Sequence, residues 1–198
     1  MTNLRPKTKF LLLSLCALLL IAATVCATMA YLTATTKTVT NTFTVGKVGI
    51  TLDEAIVDVY GRAADPTQRT DKGNTYKLIP GHSYTKDPVI TVASDSEDCW
   101  LYAKIENPID SIEAESSTIA SQLSTNGWTL IDKEKHIYAY KESVKANAEI
   151  PLFGTFTLDG SKAVDDFEGK SITVTAYAIQ ADGFKTAQEA YNSAFPAA

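Results

Sequence analysis

Cysteine and histidine are almost missing from this chain, with three of the first and two of the second among 198 residues. Cys16 and Cys26 fall within the first thirty positions, so only Cys99 remains beyond them. An internal disulfide is thereby excluded there, and an exported domain of this kind must rely on its apolar core. Cys99, next to Trp100, reads as a small buried hydrophobe. With only His82 and His136 available, an HExxH zinc site and a three-histidine site are both excluded, and each histidine reads as solvated or structural. The chain also lacks a GxSxG elbow, a P-loop and a GxGxxG turn, and Cys99 has no cysteine-protease context. No nucleophile with its base is nominated, and no cofactor is expected.

Basic side chains are scarce as well, 18 against 23 acidic ones, for a net charge of −5. Arg5, Lys7 and Lys9 are the basic residues of the first thirty positions, which contain no acidic residue. The remainder thus carries 15 basic and 23 acidic side chains, net −8. Such an acidic surface argues against a nucleic-acid partner. Its acidic clusters, Asp95, Glu97 and Asp98 and then Asp165, Asp166 and Glu168, offer the oxygen ligands calcium prefers, although neither has EF-hand spacing. Solvated loop charge is the plainer reading. Asp95, Glu97 and Asp98 stand as weak calcium candidates.

What is present begins with order at the N-terminus. Three basic residues precede an apolar run from Phe10 to about Ala27, and the small residues of Ala27-Thr28-Met29-Ala30 follow, the layout of a secretory signal. Cleavage between Ala30 and Tyr31 places Thr28 and Ala30 at the two small-residue positions; a cut after Ala27, with Val25 at −3, is the alternative. A run from Phe10 to Ala30 also approaches the roughly 20 residues that span a bilayer, so an uncleaved anchor is the competing reading. Otherwise the membrane is touched only through this segment. A lipoprotein is not indicated, because Cys16 lies inside the apolar run and Cys26 follows Val25.

Threonine then fills seven of the twelve positions from Thr33 to Thr44. A flexible linker favours glycine and serine, whereas β-branched threonine suits extended backbone. In a strand, Val39, Asn41, Phe43 and Val45 share one face, and Thr38, Thr40, Thr42 and Thr44 share the other.

Downstream, nearly every segment has a period of two. Strands are expected at Val48 to Leu52, residues 56–60, Pro88 to Ala93, residues 99–106, Trp128 to Ile131, His136 to Tyr140, Ile150 to Leu158 and Ser171 to Gln180. Residues 61–74 carry the Gly, Pro, Asp and Asn of a long exposed loop, and Pro80-Gly81 marks a turn. Residues 111–124 read as a short helix with loop. Cys99, Leu101, Ala103 and Ile105 point to one side of their strand, Trp100, Tyr102, Lys104 and Glu106 to the other. Thr186-Ala187-Gln188-Glu189 is a capping box opening a helix to about Phe195, with Ala187, Ala190, Tyr191 and Ala194 on the face that docks.

The organisation expected is a signal at 1–30, an arm or first strand at 31–46, and a domain at 47–198 ending in a helix at 186–195. Many short strands between turns predict a mainly all-β fold, a β-sandwich or barrel with a short C-terminal helix.

The combination of a signal ending in small residues, Tyr31-Leu32-Thr33, Asn41-Thr42-Phe43-Thr44-Val45-Gly46 and the strand Val48 to Leu52 resembles the TasA/camelysin family of exported Gram-positive proteins. Leu78-Ile79-Pro80-Gly81 ahead of Lys86 and the strand Val89 to Val92 looks like the family's proline-glycine turn, and Ile172 to Ala178 fits its closing strand. The likeness covers residues 1–55 and 78–106; elsewhere only the general β pattern supports it. It implies a jelly-roll antiparallel β-sandwich, processed by a SipW-type signal peptidase and secreted to the extracellular matrix or cell surface. Fibre formation, through self-association or with related matrix subunits, is implied too. Camelysin is described as a metallopeptidase, for which this chain has no recognisable zinc motif.

Strand addition supplies a mechanism for assembly. An arm from Tyr31 to Val45 can extend about 50 Å at roughly 3.3 Å per residue, enough to reach a neighbouring subunit. There it would add to an open sheet edge. Pairing within its own domain is the alternative for Asn41 to Val45, and a flexible tether the alternative for Tyr31 to Lys37. Two other functions compete: a camelysin-like secreted metalloprotease, and a membrane-anchored extracellular binding domain with Trp100, Tyr102 and Trp128 as an exposed aromatic patch.

Overall fold

The computed structural model describes residues 5–32, 46–65 and 67–195, and of 22–32 the backbone alone. The chain divides into two units, Met1–Thr44 and Val45–Ala198. In the first, α1 (Pro6–Leu32) is a single helix whose described side chains are apolar all round from Phe10 to Ile21, apart from Ser14. Among the described residues, no helix is long and apolar enough to cross a membrane.

The second unit is mostly β, with ten strands in antiparallel sheets among the described residues. They are β1 (Ile50–Ala55), β2 (Arg69–Thr70), β3 (Ser83–Thr85), β4 (Val89–Val92), β5 (Cys99–Glu106), β6 (Trp128–Asp132), β7 (Ile137–Tyr140), β8 (Glu149–Pro151), β9 (Thr155–Thr157) and β10 (Thr173–Gln180). One sheet has the order β2-β1-β4-β8, a second β10-β5-β7-β6, and β3 pairs with β9 alone. The described residues of the unit also form two α-helices, α2 (Ile119–Thr125) and α3 (Ala187–Ala194), and three single-turn 3-10 helices.

Alternation explains where the core lies. Ile90 and Val92 from the first sheet and Cys99, Leu101, Ala103 and Ile105 from the second bury into one apolar cluster with Tyr84, Phe153 and Phe156. The opposite face of β5 is covered at Trp100 and Tyr102, while Lys104 and Glu106 reach towards solvent. Trp100 and Tyr102 form a second cluster with Ile137, Ala139, Ala190 and Tyr191, because α3 lies over them. The first half of β5, with Trp100 and Tyr102, is therefore buried on both faces.

Two expected strands are corrected. Residues 56–60 form only an isolated bridge, Val57 to Ala63. The Asp58 carboxylate accepts the Tyr60 and Arg62 amides at 2.9 and 3.0 Å, and Gly61 takes φ +73°, so local hydrogen bonds turn the chain instead. Ile150 to Leu158 is also not one strand. It breaks into β8, paired with β4, and β9, paired with β3. Gln122 Oε1 from α2 accepts the Gly154 and Thr155 amides at the break, taking the place of a ladder partner. The loop at 61–74 in turn contains β2, which pairs with β1.

The helices follow their caps. Thr118 Oγ1 accepts the Ser121 amide at 3.1 Å to open α2, and Thr186 Oγ1 accepts the Glu189 amide at 3.2 Å to open α3. Glu189 returns its bond to the Lys185 amide at 3.0 Å, one residue earlier than a reciprocal capping box requires.

Candidate functional site

From Tyr84 the chain buries every second residue, Tyr84, Lys86, Pro88, Ile90 and Val92. A lysine thus occupies an inward position. Lys86 Nζ lies 2.5 Å from Glu54 Oε2 of β1, and the two side chains are only 9% and 7% exposed. Glu54 Oε1 accepts a second hydrogen bond, from Asn74 Nδ2 at 2.8 Å. One carboxylate therefore holds an amine and a side-chain amide at once.

The backbone fixes the orientation of that amide. Asn74 Nδ2 also donates to the Ala55 carbonyl at 2.9 Å, and Asn74 Oδ1 accepts the Val57 N–H at 3.0 Å. Those contacts settle which end of the amide carries oxygen. The Tyr76 hydroxyl donates to the Thr85 carbonyl at 3.0 Å, and burial, followed by the nearby Glu54 charge, pushes this phenol well above its ordinary range. Lys86, Asn74 and Tyr76 all line one cleft of about 560 Å³.

Arg69 of β2 anchors the segments on either side. Its Nε meets Asp53 Oδ1, its Nη1 meets Asp87 Oδ2 at 3.0 Å, and its Nη2 donates to the Asp53 and Asp87 carbonyls at 3.1 and 2.9 Å. Asp53 and Asp87 immediately neighbour Glu54 and Lys86, so the planar guanidinium fixes the spacing of the buried pair.

The predicted calcium ligands do not converge. Among the described residues, no three of His, Cys, Asp and Glu form a group able to hold a metal ion. The Asp95 carboxylate instead pairs with exposed Lys47 at 2.8 Å, and this hydrogen bond holds its acid below the usual range. Asp165 and Glu168 stand on the cleft that Lys86 and Asn74 line.

The expected aromatic patch is not on the surface. Trp100, Tyr102 and Trp128 are all buried, the first two beneath α3 and the third in the main core with its Nε1 donating to the Pro151 carbonyl at 3.0 Å. His82 Nε2 meets the Tyr60 carbonyl at 2.9 Å and its ring packs edge-on to Tyr84, while His136 occupies a turn at φ 55°. Cys99 is buried, and burial pushes its thiol up to about 11. The Ala30 and Tyr31 junction falls within α1, whereas Val39, Asn41, Phe43 and Val45 lie outside the described residues.

A second feature is the margin of the β10-β5-β7-β6 sheet. Among the described residues β10 is an edge strand, paired only with β5. Ala181 donates to the Asp98 carbonyl at 2.8 Å in continuation of that ladder. Counting back by twos, the odd-numbered residues of β10 bond to β5, so Val174, Ala176, Ala178 and Gln180 turn their N–H and C=O groups outward. Most β10 side chains stay half-exposed although they pack against the two apolar clusters.

Sequence reading missed the triad of Glu54, Asn74 and Lys86 because its members come from β1, a loop and the link between β3 and β4. The available signal was Lys86 itself, a charge on the inward face of an alternating run. In comparisons with known proteins, the chain matches no family profile, no curated protein and no solved structure.

Proposed function

We propose that this chain is a secreted, non-enzymatic structural protein of the TasA type, a subunit of a biofilm-matrix or cell-surface fibre assembled by β-strand addition. The observation that carries the reading is the row of outward backbone groups at Val174, Ala176, Ala178 and Gln180 along the eight-residue β10, which pairs only with β5 among the described residues. Such an edge is a template for another strand. The alternating pattern of residues 38–45 supplies one, with Val39, Phe43 and Val45 beside Asn41 on one sheet face and threonines on the other. The finer architecture in this reading is a jelly-roll sandwich, supported by two sheets sharing one core and by the long-range pairs β3–β9 and β4–β8.

A second reading has the same segment pair within its own chain. It is favoured by Gly46, where an added Cβ would lie 3.3 Å from Glu97 and 3.5 Å from the Gln180 amide, so the described domain begins beside the last residue of β10. Deleting residues 31–40 from the processed protein separates the two. Loss of fibres in electron micrographs is the expected result; fibres unchanged by the deletion would refute donation between subunits. N-terminal sequencing of exported protein tests the processing step, with Tyr31 expected first. A zinc measurement and a casein-cleavage assay on pure protein test the metalloprotease alternative, and both are expected to be negative.

A further inference from the structure

We propose that Lys86 and Asn74 join covalently through an intramolecular isopeptide bond, with Glu54 as the acid–base residue that drives it. Three observations meet here. The nucleophile and the electrophile contact the two oxygens of one buried carboxylate, at 2.5 and 2.8 Å. The amide carbonyl already receives a backbone N–H, from Val57 at 3.0 Å. Both side chains reach one cleft, which leaves a route for a small product.

The step balances as an exchange of amides. Lys86 ammonium passes a proton to Glu54 across their 2.5 Å contact. The freed Nζ lone pair attacks Asn74 Cγ, forming the Nζ–Cγ bond and placing negative charge on Oδ1. The Val57 N–H is aimed at that oxygen, as an oxyanion donor should be. Glu54 then delivers its proton to Nδ2 across the 2.8 Å contact, and the Cγ–Nδ2 bond breaks. The second proton that Nζ loses leaves with ammonia, so an ammonium ion and a secondary amide replace the lysine ammonium and the asparagine amide. Neither oxidant nor cofactor is required.

Positioning is what makes an amide, a poor electrophile, reactive on this path. Groups held in attack geometry gain effective concentrations far above any solution value. Arg69 holds both flanks of the buried pair, through Asp53 next to Glu54 and Asp87 next to Lys86. Tyr76, packed edge-on against Tyr84 and Phe156 at 5.7 and 5.1 Å, adds an aromatic wall to the same cleft. An ordinary buried ion pair would explain Lys86 and Glu54. It would not explain an asparagine whose nitrogen is held on the same carboxylate and whose oxygen is held by a backbone donor.

The test is the intact mass of the folded, full-length or processed protein, followed by tandem mass spectrometry of its proteolytic peptides. The expected result is a mass lower than the sequence mass by one ammonia, with a branched peptide linking Asn74 to Lys86. The Asn74→Asp variant is expected to lose one water instead, with the same branch. Lys86→Arg and Glu54→Gln are expected to keep their full sequence mass. Full mass in the folded wild type after prolonged incubation would overturn the proposal. Ammonia loss that persists in Lys86→Arg would also overturn it, since that marks a succinimide at an asparagine. A branch that still forms in Glu54→Gln would remove Glu54 from the chemistry. The wild-type measurement needs no variant to fold.

Discussion

Tyr102 of β5 and Ala187 of α3 are joined by a 2.7 Å hydrogen bond from the phenol to the backbone carbonyl, across 85 positions of sequence. Its carbonyl partner lies in the first turn of α3, so the bond ties the helix to the sheet face it covers. Burial pushes this phenol far above its ordinary range, which keeps it a donor at any working pH. Tyr102→Phe is expected to cost about 1 kcal/mol, the usual net worth of one such bond. The urea midpoint measures it, and an unchanged slope would show that the fold is retained.

Thr186 tests the cap of the same helix. Its hydroxyl accepts the Glu189 amide, and Thr186→Ala leaves that donor to water. A loss of about 1 kcal/mol is expected, with faster amide exchange in the first turn of α3. Thr186→Ser is expected to restore both.

Glu113 gives a pH dependence with a definite sign. It is buried, and burial outweighs the opposing hydrogen bond from the Ile119 amide, so its folded-state acid is weaker than the ordinary value of 4.5. The native state therefore keeps this proton to higher pH than the unfolded state does, and stability falls as pH climbs above 4.5. Glu113→Gln retains an acceptor and removes the ionisation. The difference in thermal midpoint between the two proteins is expected to be flat below pH 4.5 and to move in favour of the Glu113→Gln variant above it. A difference that stays constant across the range would count against the assignment.

Arg69→Lys checks the clamp around the buried pair. A single ammonium cannot meet Asp53, Asp87 and both backbone carbonyls at once. The side chains are about one-third exposed, so a modest loss of about 1 kcal/mol is expected, read as a lower denaturant midpoint.

The β10 edge has its own variant. Ala176 directs its N–H outward, so Ala176→Pro removes a donor for an added strand and none from the ladder with β5. Far-UV circular dichroism is expected to stay unchanged while fibres shorten or vanish in electron micrographs. Wild-type fibres from this variant would rule out β10 as the acceptor.

Much of the architecture was legible as alternation. The limits of β5 and the end of β10 agree with the two-residue period, because both strands turn an alternating apolar face to the core, whereas β10 starts two residues later than expected, at Thr173. The capping threonine of α3 was legible for a local reason, since a hydroxyl bonds within its own turn. Residues 56–60 misled because Val57 and Val59 alternate correctly while Asp58 and Gly61 turn the backbone. Ile150 to Leu158 misled because alternation does not show which sheet a strand joins, and Gln122 diverts the chain between two of them. The aromatic patch failed for a similar reason, since the helix that covers Trp100 and Tyr102 lies more than eighty residues away.

By itself the sequence determined what short-range physics controls: a β-rich chain, its main strands, its C-terminal helix and the absence of familiar catalytic motifs. Tertiary structure alone decided which strands share a sheet, which strands lie at sheet edges among the described residues, and how Glu54, Asn74 and Lys86 meet. Pattern is a property of neighbours in the chain, whereas a reacting amine and amide must be neighbours in space. Only the antiparallel packing of β1 against β2 and β4 brings Asn74 and Lys86 to the Glu54 carboxylate.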